Sequence, residues 1–197
     1  MSKEFFNARA NTWDETAAEK NADKLNAMAA RLEIAPGSAV LDVGTGTGVF
    51  VPYLLRKIGP EGSLVCLDYA EEMLKAARAK HFPDNVGFHC AAIEDSGLET
   101  GAFDAVVCYS VFPHFHDHAK ALKEIYRVLK REGNVFICHT SSRDEINNIH
   151  RNIREIRHHL FPGNEDMRRM LKEAGFAGIM IVDGKNDYLA SGKKTGC

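Results

Sequence analysis

The chain has 197 residues, enough for one domain with a sizeable core, and its 45% apolar and 26% charged residues are ordinary for a globular protein. A formal net charge of −2 offers no basic field to nucleic acid or an anionic membrane, and no apolar run reaches membrane-spanning length. The opening MSKEFFNARANTWDE is polar and mixed in charge, unlike a signal peptide, so the expected location is cytoplasmic.

Residues 1–13 read as an arm rich in aromatics and 14–34 as a helix. SAVLDVG (38–44) is a buried strand, and GVFVPYLLRKIG (48–59) is a helix that tolerates Pro52 near its first turn. SLVCLD (63–68) and AEEMLKAARAKHF (70–82) repeat the strand and helix. NVGFHCA (85–91) and FDAVVCYS (103–110) are strands, followed by a helix over 117–131 and a fifth strand over 134–140. This alternation predicts right-handed crossovers and a parallel sheet covered on both faces, a doubly wound α/β fold.

The order then changes. Residues 142–160 are expected to form one long helix, opened by the capping box of Ser142 and Glu145. Ile146, Ile149, Ile153, Ile156 and Leu160 supply its apolar stripe. FPGN (161–164) breaks it, and a shorter helix over 165–176 ends at Gly175. Two closing strands form a hairpin around 184–186. No linker divides the chain, so 1–197 is expected to be a single domain, with 1–34 as arm and cap helix and 142–164 as a helical insertion. Cys66, Cys90, Cys108 and Cys138 lie in or beside apolar runs and are expected to be reduced core thiols; Cys197 ends the chain and is expected to be free.

Glycines at 44, 46 and 48 follow the first strand, where a doubly wound sheet binds nucleotides. Val49 stands where a dinucleotide fingerprint needs its third glycine, and no Gly-Lys-Ser/Thr follows, so a P-loop is also excluded. Asp42 ends the first strand. A carboxylate there repels a pyrophosphate and attracts an ammonium or sulfonium. Asp68, twenty residues beyond Gly48, can accept two hydrogen bonds from a ribose diol. The implied ligand is a nucleoside with a cationic tail and no phosphates.

On these residues the sequence resembles the class I S-adenosylmethionine-dependent methyltransferases, of the small-molecule type related to the ubiquinone and menaquinone enzymes. VLDVGTGTG, CLDYAEEML, AFDAVVCYSVFPHF, ALKEIYRVLKREGNVFI and the arm EFFNARANTWDE carry the likeness. The resemblance implies a mostly parallel seven-stranded sheet with an antiparallel last strand. It implies that Gly44, Thr45 and Gly46 line the methionine part of S-adenosylmethionine, with Asp42 near its amino group. Asp68 would hold the ribose, Tyr69 and Met73 the adenine, and Cys108, Tyr109 and Ser110 would flank the sulfonium. Phe6 and Trp13 would close over cofactor and acceptor. Ala92 stands where the family usually has an acidic partner for adenine, so backbone groups near Ala92 and Ile93 would serve, with Glu94 facing away. RVLKREG replaces the family's RVLKPGG, a looser turn with no functional inference.

Methyl transfer by in-line displacement needs alignment and exclusion of water, with a base only for an oxygen or carbon acid. His114 and His139 end the fourth and fifth strand regions, at the edge where ligands bind. Either could be a base or an acceptor contact, or a loop histidine bonded to backbone. HFHDH (114–118) does not make a metal site, and His150, His158 and His159 do not converge on one helix. Arg143, Arg151, Arg154 and Arg157 would face outward while that helix and the arm roof the crevice. The expected function is methyl transfer to a small-molecule acceptor by a monomer or homodimer acting on neither nucleic acid nor membrane. The alternatives are a metal or metalloid methyltransferase using the thiols, and a cofactor-binding regulatory or partner subunit without turnover.

Overall fold

A computed structural model describes residues 2–16 and 21–196. Seven strands form one sheet: β1 (Ala39–Val43), β2 (Ser63–Asp68), β3 (Val86–Cys90), β4 (Phe103–Tyr109), β5 (Leu129–His139), β6 (Ala177–Asp183) and β7 (Tyr188–Lys193). Their order is β3-β2-β1-β4-β5-β7-β6, with β7 antiparallel to both its neighbours and the other pairs parallel. The order reverses between β1 and β4, which opens a crevice at their carboxyl ends.

Strand alternation splits the core into two layers. Along β4, Ala105, Val107 and Tyr109 join the cluster under α3 (Ala22–Arg31) and α4 (Val51–Ile58). Val106 and Cys108 point the other way, into the cluster that includes α6 (His118–Val128), α7 (Arg143–Arg151) and α8 (Asn164–Glu173). Leu54, Ile58, Leu122 and Ile125 are fully buried, as the helical spacing of their apolar neighbours requires. α5 (Glu71–Arg78) follows β2. Ahead of the sheet lie α1 (Ser2–Arg9) and the single turn α2 (Trp13–Thr16).

Several expectations need correction. The 14–34 helix is interrupted: α3 starts afresh at Asn21, whose side chain accepts from Asp23 N and Lys24 N. Residues 17–20 of that expected helix, and Cys197, lie outside the described residues. The 117–131 helix stops at Val128, because Leu129 already pairs with Phe103 in β5. Cys66, Cys108 and Cys138 are buried as expected, but Cys90, at the end of β3, is exposed.

The 142–160 helix is the largest departure. Ser142 caps it as expected, accepting from Glu145 N, but α7 ends at Arg151 and residues 152–158 run through turns. Asn147 explains the reversal: its side chain donates to Phe161 O (3.1 Å) and accepts from Phe161 N (2.6 Å), clipping the chain back on itself. The isoleucine stripe is therefore not a continuous face. Ile146 and Ile156 are buried, whereas Ile149 and Leu160 are exposed at 43% and 38%.

Candidate functional site

The glycine loop leaves β1 in a bend that L side chains resist. Gly44, Gly46 and Gly48 have φ of +67°, +56° and +79°. Leu67 O accepts from both Gly44 N (2.7 Å) and Thr45 N (3.0 Å). Asp68 finishes the bend: one carboxylate oxygen accepts from Gly46 N and the other from Ala70 N, each at 2.8 Å. This second duty of Asp68, pinning the loop, was not legible from spacing.

Two adjoining cavities of about 590 and 340 Å³, counting their open mouths, meet at Gly44, Asp68, Tyr69, Val111 and His114. The larger is lined by the glycine loop, Met73, Tyr109 and Ser110, and roofed by Phe6 and Trp13 of the arm. The smaller runs past Ala92 and Ile93 to His116. The structure thus brings Gly44, Thr45, Gly46, Asp68, Tyr69, Met73, Ala92, Ile93, Tyr109, Ser110 and His114 to one crevice. Glu94 lines it too rather than facing away; its carboxylate accepts from His116 N at 2.8 Å.

Three expected residues line neither cavity. Asp42 sits behind the loop, 1% exposed, with its Oδ2 accepting from the Thr45 hydroxyl at 2.6 Å. Burial pushes its carboxyl up to about 7; the Thr45 hydroxyl opposes this and the Asp68 charge adds to it. Burial also raises Asp68, against the backbone N–H groups it accepts from. Cys108 alternates onto the opposite sheet face and is 1% exposed. His139, 4% exposed, packs beside Tyr109 with ring centroids 6.3 Å apart.

The histidines behave differently from expectation. Because α7 stops early, His150 and His159 both reach His114, with ring centroids 4.9 and 5.3 Å away. His114 Nδ1 and His159 Nδ1 are 3.0 Å apart, and His150 Nδ1 donates to His159 O. Burial, with smaller contributions from His150, His159 and His139, holds His114 well below the usual histidine range, so its imidazole is neutral. No group of three or more His, Cys, Asp or Glu is arranged to hold a metal among the described residues.

An ionised carboxylate has about four acceptor positions, so Asp68 can receive a ribose diol while still holding Gly46 and Ala70. A Cβ on Gly46 would meet no atom within 4 Å, so that glycine borders open space. Ser110, in a left-handed backbone conformation (φ +54°), carries a buried hydroxyl with no partner among the described residues, at the lip of the larger cavity. A ligand in this cavity could supply that hydroxyl with a partner. The residues present fit a nucleoside with a cationic tail.

Comparison with known proteins agrees. Residues 41–137 match the family described as a methyltransferase domain. Ubiquinone biosynthesis O-methyltransferase of Xanthomonas oryzae pv. oryzae is 33% identical over 141 residues, 67% of this chain and 57% of that protein. Demethylmenaquinone methyltransferase of Lactococcus lactis is 35% identical over 108 residues, 53% of this chain and 43% of the relative. The chain thus spans about half the length of these curated relatives. The crystal structure of a SAM-dependent methyltransferase from Aquifex aeolicus superposes with a TM-score of 0.76 at 20% identity, covering 96% of this chain and 98% of that one. With a reversing α/β sheet, a glycine bend pinned by Asp68 and a crevice that fits S-adenosylmethionine, the chain belongs to the class I S-adenosylmethionine-dependent methyltransferases.

Proposed function

We propose that this chain transfers the methyl group of S-adenosylmethionine to a small aromatic acceptor bearing a hydroxyl. The observation that carries this is the wall of the larger cavity. Phe6, Trp13, Tyr69, Tyr109 and His114 surround it, and among the described residues Asp68 is its one charged side chain. Phe6 packs edge-on against His114 and Trp13, at 5.0 and 5.6 Å between ring centroids, so the three rings make one continuous aromatic wall against which a flat apolar ring can pack. Two matched relatives are named for quinone biosynthesis or demethylmenaquinone, which supports the same acceptor class.

When bound, the cofactor supplies a methyl carbon made electrophilic by its positive sulfur, which keeps the bonding pair. The chain's own residues do the rest. Asp68 and the glycine loop bind the nucleoside, and Ser110 Oγ meets it from the side of β4. Phe6 and Trp13 exclude water. Such alignment can contribute on the order of 7–11 kcal/mol. His114, neutral and on the cavity wall, accepts the acceptor's proton; His139, off the wall, does not touch the acceptor.

Two measurements test the reading. Calorimetry with S-adenosylhomocysteine is expected to show binding that Asp68→Ala weakens at least ~10-fold, about 1.4 kcal/mol, through loss of a charged acceptor of two hydrogen bonds. Mass spectrometry after incubation with S-adenosylmethionine and a panel of catechols and hydroquinones is expected to show methylated product. Binding without turnover across the panel would favour a regulatory subunit.

A further inference from the structure

His114 does not end at the cavity wall. Its Nδ1 meets His159 Nδ1 at 3.0 Å, and its Nε2 has no protein partner among the described residues. His159 is half-buried, and its own Nε2 is likewise without a protein partner. The segment carrying His159 is held twice: His150 Nδ1 donates to His159 O, and Asn147 clips Phe161. Two imidazoles back to back, one on the reaction cavity and one toward solvent, make a path.

We propose that His159 is the outlet of a two-imidazole proton relay that drains the acceptor's hydroxyl proton from His114 to water. The inference rests on the oxygen-acceptor reading above. As the acceptor oxygen gains the methyl, its proton passes to His114 Nε2. The Nδ1 proton of His114 passes to His159 Nδ1, and the Nε2 proton of His159 leaves to water. Both rings end as neutral tautomers of opposite sense. Once product departs, His159 Nε2 takes up a proton from water, the His159 Nδ1 proton returns to His114 Nδ1, and His114 Nε2 loses its proton to water in the open cavity, which resets the pair. No ring holds a net charge at rest, which suits the setting. His114 is faced by His139, His150 and His159, and His159 by His116, His118, His150 and His158. Any additional positive charge among them would be repelled. His159 touches no substrate in this scheme; it acts through His114.

The test uses the full chain and His159→Gln and His159→Ala. Nitrogen-15 NMR of the imidazoles, with S-adenosylhomocysteine bound, reads the pair without turnover. In the wild type His114 and His159 are expected to titrate as one coupled unit, and His159→Gln is expected to move the His114 titration upward. Independent titration, with His114 unmoved by His159→Gln, overturns the relay. With catechol as acceptor, His159→Gln is expected to lower kcat about tenfold with KM for both substrates within twofold. Added imidazole is expected to restore His159→Ala in proportion to its concentration. An unchanged kcat, or a loss that imidazole does not relieve, overturns the proposal. If the wild type turns over no phenolic acceptor, the oxygen-acceptor reading fails by itself and the spectra still decide the coupling.

Discussion

Gly44 and Gly46 share a left-handed backbone and part company in what surrounds them. A Cβ on Gly44 would lie 2.1 Å from Val111 Cγ2, whereas one on Gly46 meets nothing. Gly44→Ala is therefore expected to cost more than ~2 kcal/mol of stability, from strain plus overpacking. Gly46→Ala is expected to cost about 1 kcal/mol from strain alone while weakening S-adenosylhomocysteine at least tenfold; urea melts and calorimetry separate the two. Asp42 gives a pH signature. Its folded pKa of about 7 lies above the ordinary carboxylate value of 3.8, so folding favours the protonated form. That contribution is complete below about pH 4 and is lost as pH rises toward 7. Asp42→Asn cannot ionise, so its Tm relative to wild type is expected to climb by at least ~3 °C between pH 4 and pH 8. The glycine spacing and the place of Asp68 at the crevice were legible because the bend after a strand dictates residue type at fixed offsets. That Asp42 binds Thr45 instead of facing the crevice was not, since strand position sets which end a residue occupies but not which neighbour takes its oxygen.

Strands and most helices could be read because their periods differ: β2 over Ser63–Asp68 matches its apolar run end to end. α7 shows the limit. Ile146 to Leu160 fit a helical stripe, and Ser142 does cap its start, yet the stop signal is a side chain meeting backbone fourteen residues on. No local pattern encodes such a contact. It also set the histidines, whose convergence follows from the turn and is impossible on a straight helix. Asn147→Ala leaves a buried N–H and C=O at Phe161 without partners, so a loss of about 2 kcal/mol is expected in urea. Hydrogen exchange should rise over residues 152–161 more than in β4.

The molecule joins a deep core to a lightly attached roof. Phe6, Ala10 and Trp13 pack with Ala70 and Met73 in a small cluster separate from the two main layers. Phe6 also meets Tyr69 and His114 edge-on, and polar ties include Lys3 with Glu71 (2.6 Å), Asn7 with Glu71 (3.4 Å) and Glu72 N (3.1 Å), Asp14 with Thr47 (2.6 Å) and Lys80 (2.6 Å), and Arg9 with Glu155 (4.0 Å). Exposed pairs of this kind contribute about 0–1 kcal/mol each. Amides of residues 2–16 are expected to exchange faster than those of β1 and β4 in the free protein, and to slow on addition of S-adenosylhomocysteine; equal protection in both states would show a rigid roof. A piece so weakly wired to the rest is also separable in breeding. Grafting another family member's opening sixteen residues onto this sheet should alter which molecule is methylated while the recipient keeps its melting behaviour, so that choice of cargo and durability of the scaffold can be tuned as independent traits.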